Sequence, residues 1–438
     1  MHTRGFRKKK VKVITLGCPK NTVDSEVLLG QLHASGIITR AKDQAGDAST
    51  VIINTCGFIE AAREESIDTI LHFVEQKRTG RIEKVIVTGC LSQRYMPALR
   101  QAIPEVDEFF GTHDLPHLLR SVGADYKQEL LGERLLTTPA HYAYLKISEG
   151  CDRPCSFCAI PLMRGKHRSR PVEEIIAEAR QLVKKGSREI ILIAQDSTYY
   201  GLDLYGKRKL AELMNHLADI EGLEWLRLHY AFPAGFPPDV LEVMADRSNI
   251  CRYLDIPLQH ASDRILASMR RGITRQKTQK LIETIRSKVP GIAIRTTMIT
   301  GYPDETEKDF EDLISFVRQM RFERLGVFTY SHEENTAAFR LQDNVPFELK
   351  QQRAEELMTI QQEISEENNK RYIGQTLKVL IDRKEGHYWI GRTEFDSPEI
   401  DNEVRVECPA NSLKPGVFVN VKITSAEAFD LYGSAILS

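Results

Sequence analysis

Cys151-Asp-Arg-Pro-Cys155-Ser-Phe-Cys158 is a CxxxCxxC run with an aromatic residue, Phe157, just before its last cysteine. Protein-held [4Fe–4S] clusters normally take four cysteines. Three thiolates in one short loop therefore imply a cluster with one iron left open, and an open site on a redox metal is where a substrate or cofactor binds. Zinc is the competing reading. Zinc ribbons and knuckles pair two CxxC knuckles, or one knuckle with histidines, and this chain has no second knuckle.

Around this loop the chain reads as repeated strand–helix units. Tyr144 to Ile147 is an apolar strand that leads into the loop, and Arg170-Pro171-Val-Glu-Glu opens a helix with proline in the first turn and acids at the positive end of its dipole. Strands are expected at Glu189–Ala194, Leu223–His229, Tyr253–Ile256, Ile292–Met298 and Leu325–Tyr330. Helices over Leu210–Asp219, Pro238–Met244, Arg275–Ser287 and Glu305–Met320 separate them. Six such units are too few for a complete eight-unit barrel.

The first 125 residues alternate in the same way. Val11–Leu16, Val51–Ile53 and Val85–Val87 are short apolar strands, followed by helical patterns over Asn21–Ser35, Phe58–Lys77 and Ser92–Ala102. This order predicts a parallel sheet with helices on its faces. Cys18, Cys56 and Cys90 each follow one of the three strands, beside Gly17, Gly57 and Gly89. Ligands of open α/β sheets bind beyond the carboxyl ends of the strands. Three cysteines at equivalent strand ends thus describe a second three-thiolate site. A buried, inert thiol is the ordinary reading of any one of them, and a catalytic thiol would need only one.

Past residue 345 the pattern changes. Phe347 to about Tyr372 is rich in Gln and Glu and reads as an exposed linker helix. From Gly374 onward, short β segments such as Leu377–Ile381 and Val417–Ile423 are separated by Gly and Pro, which predicts a small OB-like β-barrel. The expected division is 10–125, 137–373 and 374–438, and the 438-residue length suits about three domains.

A net charge of −1 does not announce a nucleic-acid binder, and eight scattered cysteines are no secreted disulfide framework. Reduced metal-holding thiols suit the cytoplasm. The stretch from Arg4 to Lys10 reads as a solvated basic arm rather than a signal, and no apolar run approaches membrane-spanning length.

The whole order resembles the radical S-adenosylmethionine methylthiotransferases: a three-cysteine α/β domain, a CxxxCxxC partial barrel open on one side, and a TRAM-like β-domain. The resemblance implies two [4Fe–4S] clusters, one on Cys151, Cys155 and Cys158 and an auxiliary one on Cys18, Cys56 and Cys90. It also implies S-adenosylmethionine as both radical source and methyl donor, and an electron donor such as flavodoxin or ferredoxin. In that family the barrel cluster reduces the sulfonium and yields a 5′-deoxyadenosyl radical, which removes a hydrogen from an unactivated carbon, while the auxiliary cluster presents sulfur. Gln195 and Asp196, where the family has Gly-Gly-Glu, and Arg295 with Ile299-Thr-Gly-Tyr-Pro303 are the candidate cofactor-lining residues. A general acid–base pair is not required. His229 and His260, at strand ends, read as structural, as do Cys251 and Cys408.

Two branches of that family differ in substrate, an adenosine of transfer RNA or an aspartate β-carbon of a small-subunit ribosomal protein. From Gly374 onward seven bases face ten acids, a net charge of −3, which suits a basic protein better than phosphate. Gly391-Arg-Thr-Glu-Phe-Asp-Ser-Pro-Glu-Ile-Asp401 also resembles the ribosomal-protein branch. Asp396, Glu399, Asp401 and Glu403 are expected to project to solvent and to dock that protein. The protein-modifying reading is therefore preferred, with the transfer RNA branch as the alternative, nucleic acid not expected as direct substrate, no membrane and a monomeric chain. A two-cluster electron carrier and a plain RNA-binding module are the readings outside this class, and four-cysteine ligation would be expected of the first.

Overall fold

The computed structural model describes residues 10–40, 48–127, 133–409 and 412–436. The basic arm before Lys10 lies outside them. The chain forms two compact units. One comprises Met1–Thr138, Glu149–Asp152 and Ala159–Gln181; the other comprises Pro139–Ser148, Arg153–Cys158 and Leu182–Ser438.

The first unit is built on a five-stranded parallel sheet. Its order across the sheet is Ile38–Arg40, Lys10–Thr15, Thr50–Thr55, Lys84–Gly89 and Glu108–Phe109. Thr50–Thr55 is buried along its whole length, as a central strand covered on both faces must be. Its side chains alternate between two cores. Val51 and Ile53 pack with Ile70 and Phe73 of the helix Glu60–Arg78. Ile52 packs with Leu28, Leu29 and Leu32 of the helix Pro19–Ala34. The two edge strands are new relative to the sequence reading. They are three and two residues long and have no period of their own to detect.

In the second unit six strands run parallel and in chain order: Tyr142–Lys146, Glu189–Ile193, Trp225–Leu228, Ile250–Asp255, Ala293–Thr300 and Arg324–Thr329. The sheet has two free edges, so it is a partial barrel of six strands. A five-stranded closed barrel follows, from Thr376–Glu385 to Asp430–Ile436.

Two sequence expectations are corrected here. The helix Phe347–Lys370 is no exposed linker. Leu357, Ile360 and Ile364 are buried. Gln361 Nε2 donates to Phe322 O at 2.9 Å, and Asn369 Nδ2 donates to Glu427 O and Ala428 O at 2.8 and 3.0 Å. The helix therefore binds the partial barrel to the small one. The acidic run is not a free surface either. Asp396 is 1% exposed and accepts from Arg324 Nε at 2.9 Å. Asp401 accepts from Tyr253 Oη at 2.7 Å and from Arg295 Nε at 3.2 Å. Glu399, though exposed, accepts from Tyr142 Oη at 3.1 Å, and Glu403 pairs with Arg383 at 2.7 Å. Asp396 and Asp401 are paired because buried carboxylates survive only so, whereas Glu399 does face solvent and Glu403 is half-buried.

Candidate functional site

Asn21 organises the three strand-end loops of the first unit. Its Nδ2 donates to Leu16 O at 2.8 Å and to Thr55 O at 3.1 Å, fixing the chain just before Cys18 and just before Cys56. Asn54 Nδ2 returns the favour by donating to Asn21 O and to Ser25 Oγ, both at 3.0 Å. Ser66 Oγ accepts from Cys56 N at 3.1 Å and donates to Cys56 O at 2.9 Å. The glycines permit close approach of the loops to one another. Gly17, at φ +87°, would place a Cβ 2.6 Å from Cys56 Cβ, and a Cβ on Gly57 would stand 2.7 Å from Leu91 Cα.

Cys56 and Cys90 are buried and Cys18 is partly so. Burial pushes the Cys56 thiol up and the Cys90 thiol up to about 12, with Arg164 opposing the rise in both cases. A Cβ on Gly17 would also stand 2.9 Å from Cys56 Sγ, and Cys90 Sγ lies 3.9 Å from Asn21 Oδ1, so Cys56, Cys90 and the loop before Cys18 meet around Asn21. Arg164 Nε donates to Cys90 Sγ at 3.3 Å. Close by in the chain, Cys151 N donates to Gly165 O at 3.1 Å, and His167 N donates to Asp152 Oδ1 at 3.0 Å.

Cys155 and Cys158 belong to the second unit, joined by a Cys158 N to Cys155 O hydrogen bond of 3.2 Å. Ser156 N donates to Met269 O at 3.1 Å, and Ser156 Oγ shares a hydrogen bond with Tyr302 Oη at 2.9 Å. Phe157 packs with Ile265, Met269, Tyr302 and Tyr330, so the aromatic residue of the motif anchors the loop to the barrel. Arg271 Nη1 donates to Cys155 Sγ at 3.2 Å. Its guanidinium lies 4.3 Å from the Phe232 ring centre, and that of Arg153 lies 4.1 Å from the same ring. Neither arginine was singled out from the sequence; Arg153 and Arg271 lack any local signal beyond their charge.

The other candidates fall as follows. Gln195 and Asp196 follow the strand Glu189–Ile193. Asp196 is held by Arg153 Nε at 2.6 Å and by Thr198 N and Oγ1 at 2.9 and 2.6 Å. Arg295 lies between Asp255, at 3.3 Å, and Asp401. Gly301 adopts φ +72° and its N donates to Glu305 Oε2 at 3.0 Å. His229 shares a hydrogen bond with Ser397 Oγ at 2.9 Å, and His260 one with Glu305 at 3.2 Å. Cys251 is packed with Trp225 and Tyr253, and Cys408 Sγ is 2.8 Å from Ser412 Oγ.

Among the described residues no three His, Cys, Asp or Glu side chains are grouped to chelate a single metal ion. A cubane cluster takes one thiolate per iron and spaces its ligands more widely. The donor chemistry fits such a group at both cysteine sets. Each offers three thiols, and in each an arginine N–H donates to one sulfur, the kind of contact that tunes a thiolate-held cluster. Among the described residues no helix is long and apolar enough to cross a membrane.

Comparison with known proteins agrees with this layout. The radical SAM superfamily matches residues 145–317, the uncharacterized protein family UPF0004 matches residues 10–111, and the TRAM domain matches residues 373–436. Among solved structures, the radical S-adenosylmethionine methyltransferase TsrM from Kitasatospora setae, with cobalamin and a [4Fe-4S] cluster bound, aligns with a TM-score of 0.54 at 14% identity. It covers 74% of this chain and 75% of its own. The cobalamin-dependent S-adenosylmethionine radical enzyme OxsB aligns at 0.51 and 12% identity, covering 81% and 56%. These likenesses speak to the fold alone. The ribosomal protein uS12 methylthiotransferase RimO of Cytophaga hutchinsonii is 57% identical over 436 residues, covering 100% of both chains. Its namesakes in Christiangramia forsetii and Flavobacterium psychrophilum are 58% and 59% identical, over 100% and 99% of this chain and 96% and 99% of theirs. By this full-length identity, the chain belongs to the ribosomal protein uS12 methylthiotransferase family.

Proposed function

We propose that the chain adds a methylthio group to the β-carbon of an aspartate in ribosomal protein uS12. The observation that carries this reading is full-length identity of 57–59% to three proteins named for that substrate. When bound, two [4Fe–4S] clusters and S-adenosylmethionine would supply the electron, the hydrogen-abstracting radical, the sulfur and the methyl group. The chain's own work is to hold and orient them. Cys18, Cys56 and Cys90 would hold the auxiliary cluster, and Cys151, Cys155 and Cys158 the barrel cluster. Asn21 and Ser66 fix the loops of the first set. Phe157 and Ser156 fix the loop of the second, and Arg271 offers a positive charge to Cys155. Gln195 and Asp196 would line the cofactor side of the barrel, with Asp196 oriented by Arg153. Arg295 would serve as a positioning residue that holds Asp255 and Asp401.

The functional division we infer is 10–125, 137–373 and 374–438. A flavodoxin or ferredoxin as electron donor, a monomeric state and a cytoplasmic location complete the reading. The test is mass spectrometry of uS12 from cells with and without the gene. Loss of the methylthio mass on the uS12 aspartate in the deletion, and its return on complementation, is the expected result. An unchanged uS12 together with a loss of methylthio-adenosine from transfer RNA would overturn it.

A further inference from the structure

Arg164 is the buried charge that the cysteine motifs leave unexplained. It is 2% exposed. It lies six residues beyond Cys158 in the chain, and it belongs with all of its partners to the first unit. Nε donates to Cys90 Sγ at 3.3 Å, and Nη1 donates to Asp24 Oδ2 at 2.6 Å and to Glu149 Oε2 at 3.3 Å. Nη2 donates to Asn21 Oδ1, the side chain that ties the loops of Cys18 and Cys56. One planar fork thus serves a sulfur, an amide and two carboxylates at once. A lysine, with three donors on a single nitrogen, cannot reproduce that geometry.

We propose that Arg164 is a positioning residue of the auxiliary centre, holding Cys90 Sγ and setting the reduction potential of the cluster bound there. This rests on Cys18, Cys56 and Cys90 being that cluster's ligands. Hydrogen bonds to cluster sulfurs and nearby charge are the protein's means of moving such a potential. A cation favours the reduced, more negative state, and the two carboxylates temper it. The arrangement also means that the stretch carrying the barrel motif delivers the cation of the auxiliary centre.

Anaerobically reconstituted full-length protein would be titrated by EPR, with iron content measured in parallel, for Arg164→Met, Arg164→Lys and Asp24→Asn. The auxiliary midpoint is expected to move to more negative potential in Arg164→Met and part of the way back in Arg164→Lys. It is expected to move to more positive potential in Asp24→Asn, which leaves cysteine and arginine in place. The barrel midpoint should stay fixed. A merely structural ion pair predicts no shift. An unmoved auxiliary midpoint and unchanged signal in both Arg164→Met and Asp24→Asn, with iron retained, overturns the proposal. Should Arg164→Met fail to hold iron, Asp24→Asn decides alone, with a positive shift supporting and no shift overturning. An unmutated protein that binds iron for only one cluster would overturn the ligand set, and the proposal with it.

Discussion

Cysteine spacing carries the chemistry, but its neighbours decide whether the sulfurs can meet. Gly17 shows this most directly: its φ of +87° is costly for any residue with a Cβ, and the added atom would fall 2.6 Å from Cys56 Cβ. Gly17→Ala combines a left-handed strain of about 1–2 kcal/mol with a clash at one proposed ligand. Its expected outcome is loss of the auxiliary cluster with the barrel cluster kept, read as iron falling by about half if each set holds one four-iron cluster. Replacing Cys18, Cys56 and Cys90 together by Ala should give the same iron loss and abolish methylthiolation while reductive cleavage of S-adenosylmethionine continues. Replacing Cys151, Cys155 and Cys158 should abolish both activities. Persistent 5′-deoxyadenosine formation in the barrel variant would reverse the assigned roles.

At the scale of elements, the strands that carry the sites were readable because their burial is continuous or alternating over five or six residues. Ile38–Arg40 and Glu108–Phe109 were not, since they exist only as pairing partners of Lys10–Thr15 and Lys84–Gly89. The sequence locates the end of the helix Phe347–Lys370 to within two residues, yet hides its environment. Its buried face carries Gln361, Ser365, Asn368 and Asn369 as well as aliphatic residues, so a hydropathy pattern describes it as exposed. Those polar side chains bond carbonyls 39 to 63 residues away, which is invisible to local periodicity. Asn369→Ala removes two such bonds, leaving the Glu427 carbonyl to find another partner and the Ala428 carbonyl with Ser365 Oγ alone. A loss of about 1–3 kcal/mol is expected, measured as a lower urea midpoint with an unchanged slope.

Over the whole of the second unit, the β-domain behaves as the floor of the partial barrel. All six barrel strands lend one polar side chain to it: Tyr142 to Glu399, Glu189 to Arg392, Arg227 to the Thr393 and Glu394 carbonyls, Tyr253 and Arg295 to Asp401, and Arg324 to Asp396. Trp225, Tyr253 and Leu380 pack beside them. Spacing and charge count could not reveal this, because each pair joins residues on different domains of the sequence. Acid sensitivity follows. Burial alone would raise the Asp382 carboxyl, but Arg392 and His141 outweigh it and hold the group below the usual range. A depressed carboxylate stabilises the fold above its ordinary pKa of about 3.9, and that contribution is lost as pH falls through the lower native value. Asp382→Asn should therefore flatten the fall in stability below about pH 4. The charge pairs themselves offer the sharper test. Asp396→Asn leaves Arg324 buried beside a neutral group, and breaking a buried pair costs about 3–5 kcal/mol. Salt screens exposed charges and barely reaches buried ones. Thermal unfolding of Asp396→Asn should thus show a large loss that added salt does not abolish, with ribosomal-protein modification falling only as the folded fraction falls. A chain ending at residue 373 should not yield a stable, cluster-loaded barrel, since Arg227 would lose the Thr393 and Glu394 carbonyls and Arg324 would lose the Asp396 carboxylate. A truncated chain that folds, loads two clusters and cleaves S-adenosylmethionine would show instead that the β-domain is a separable recruiting module.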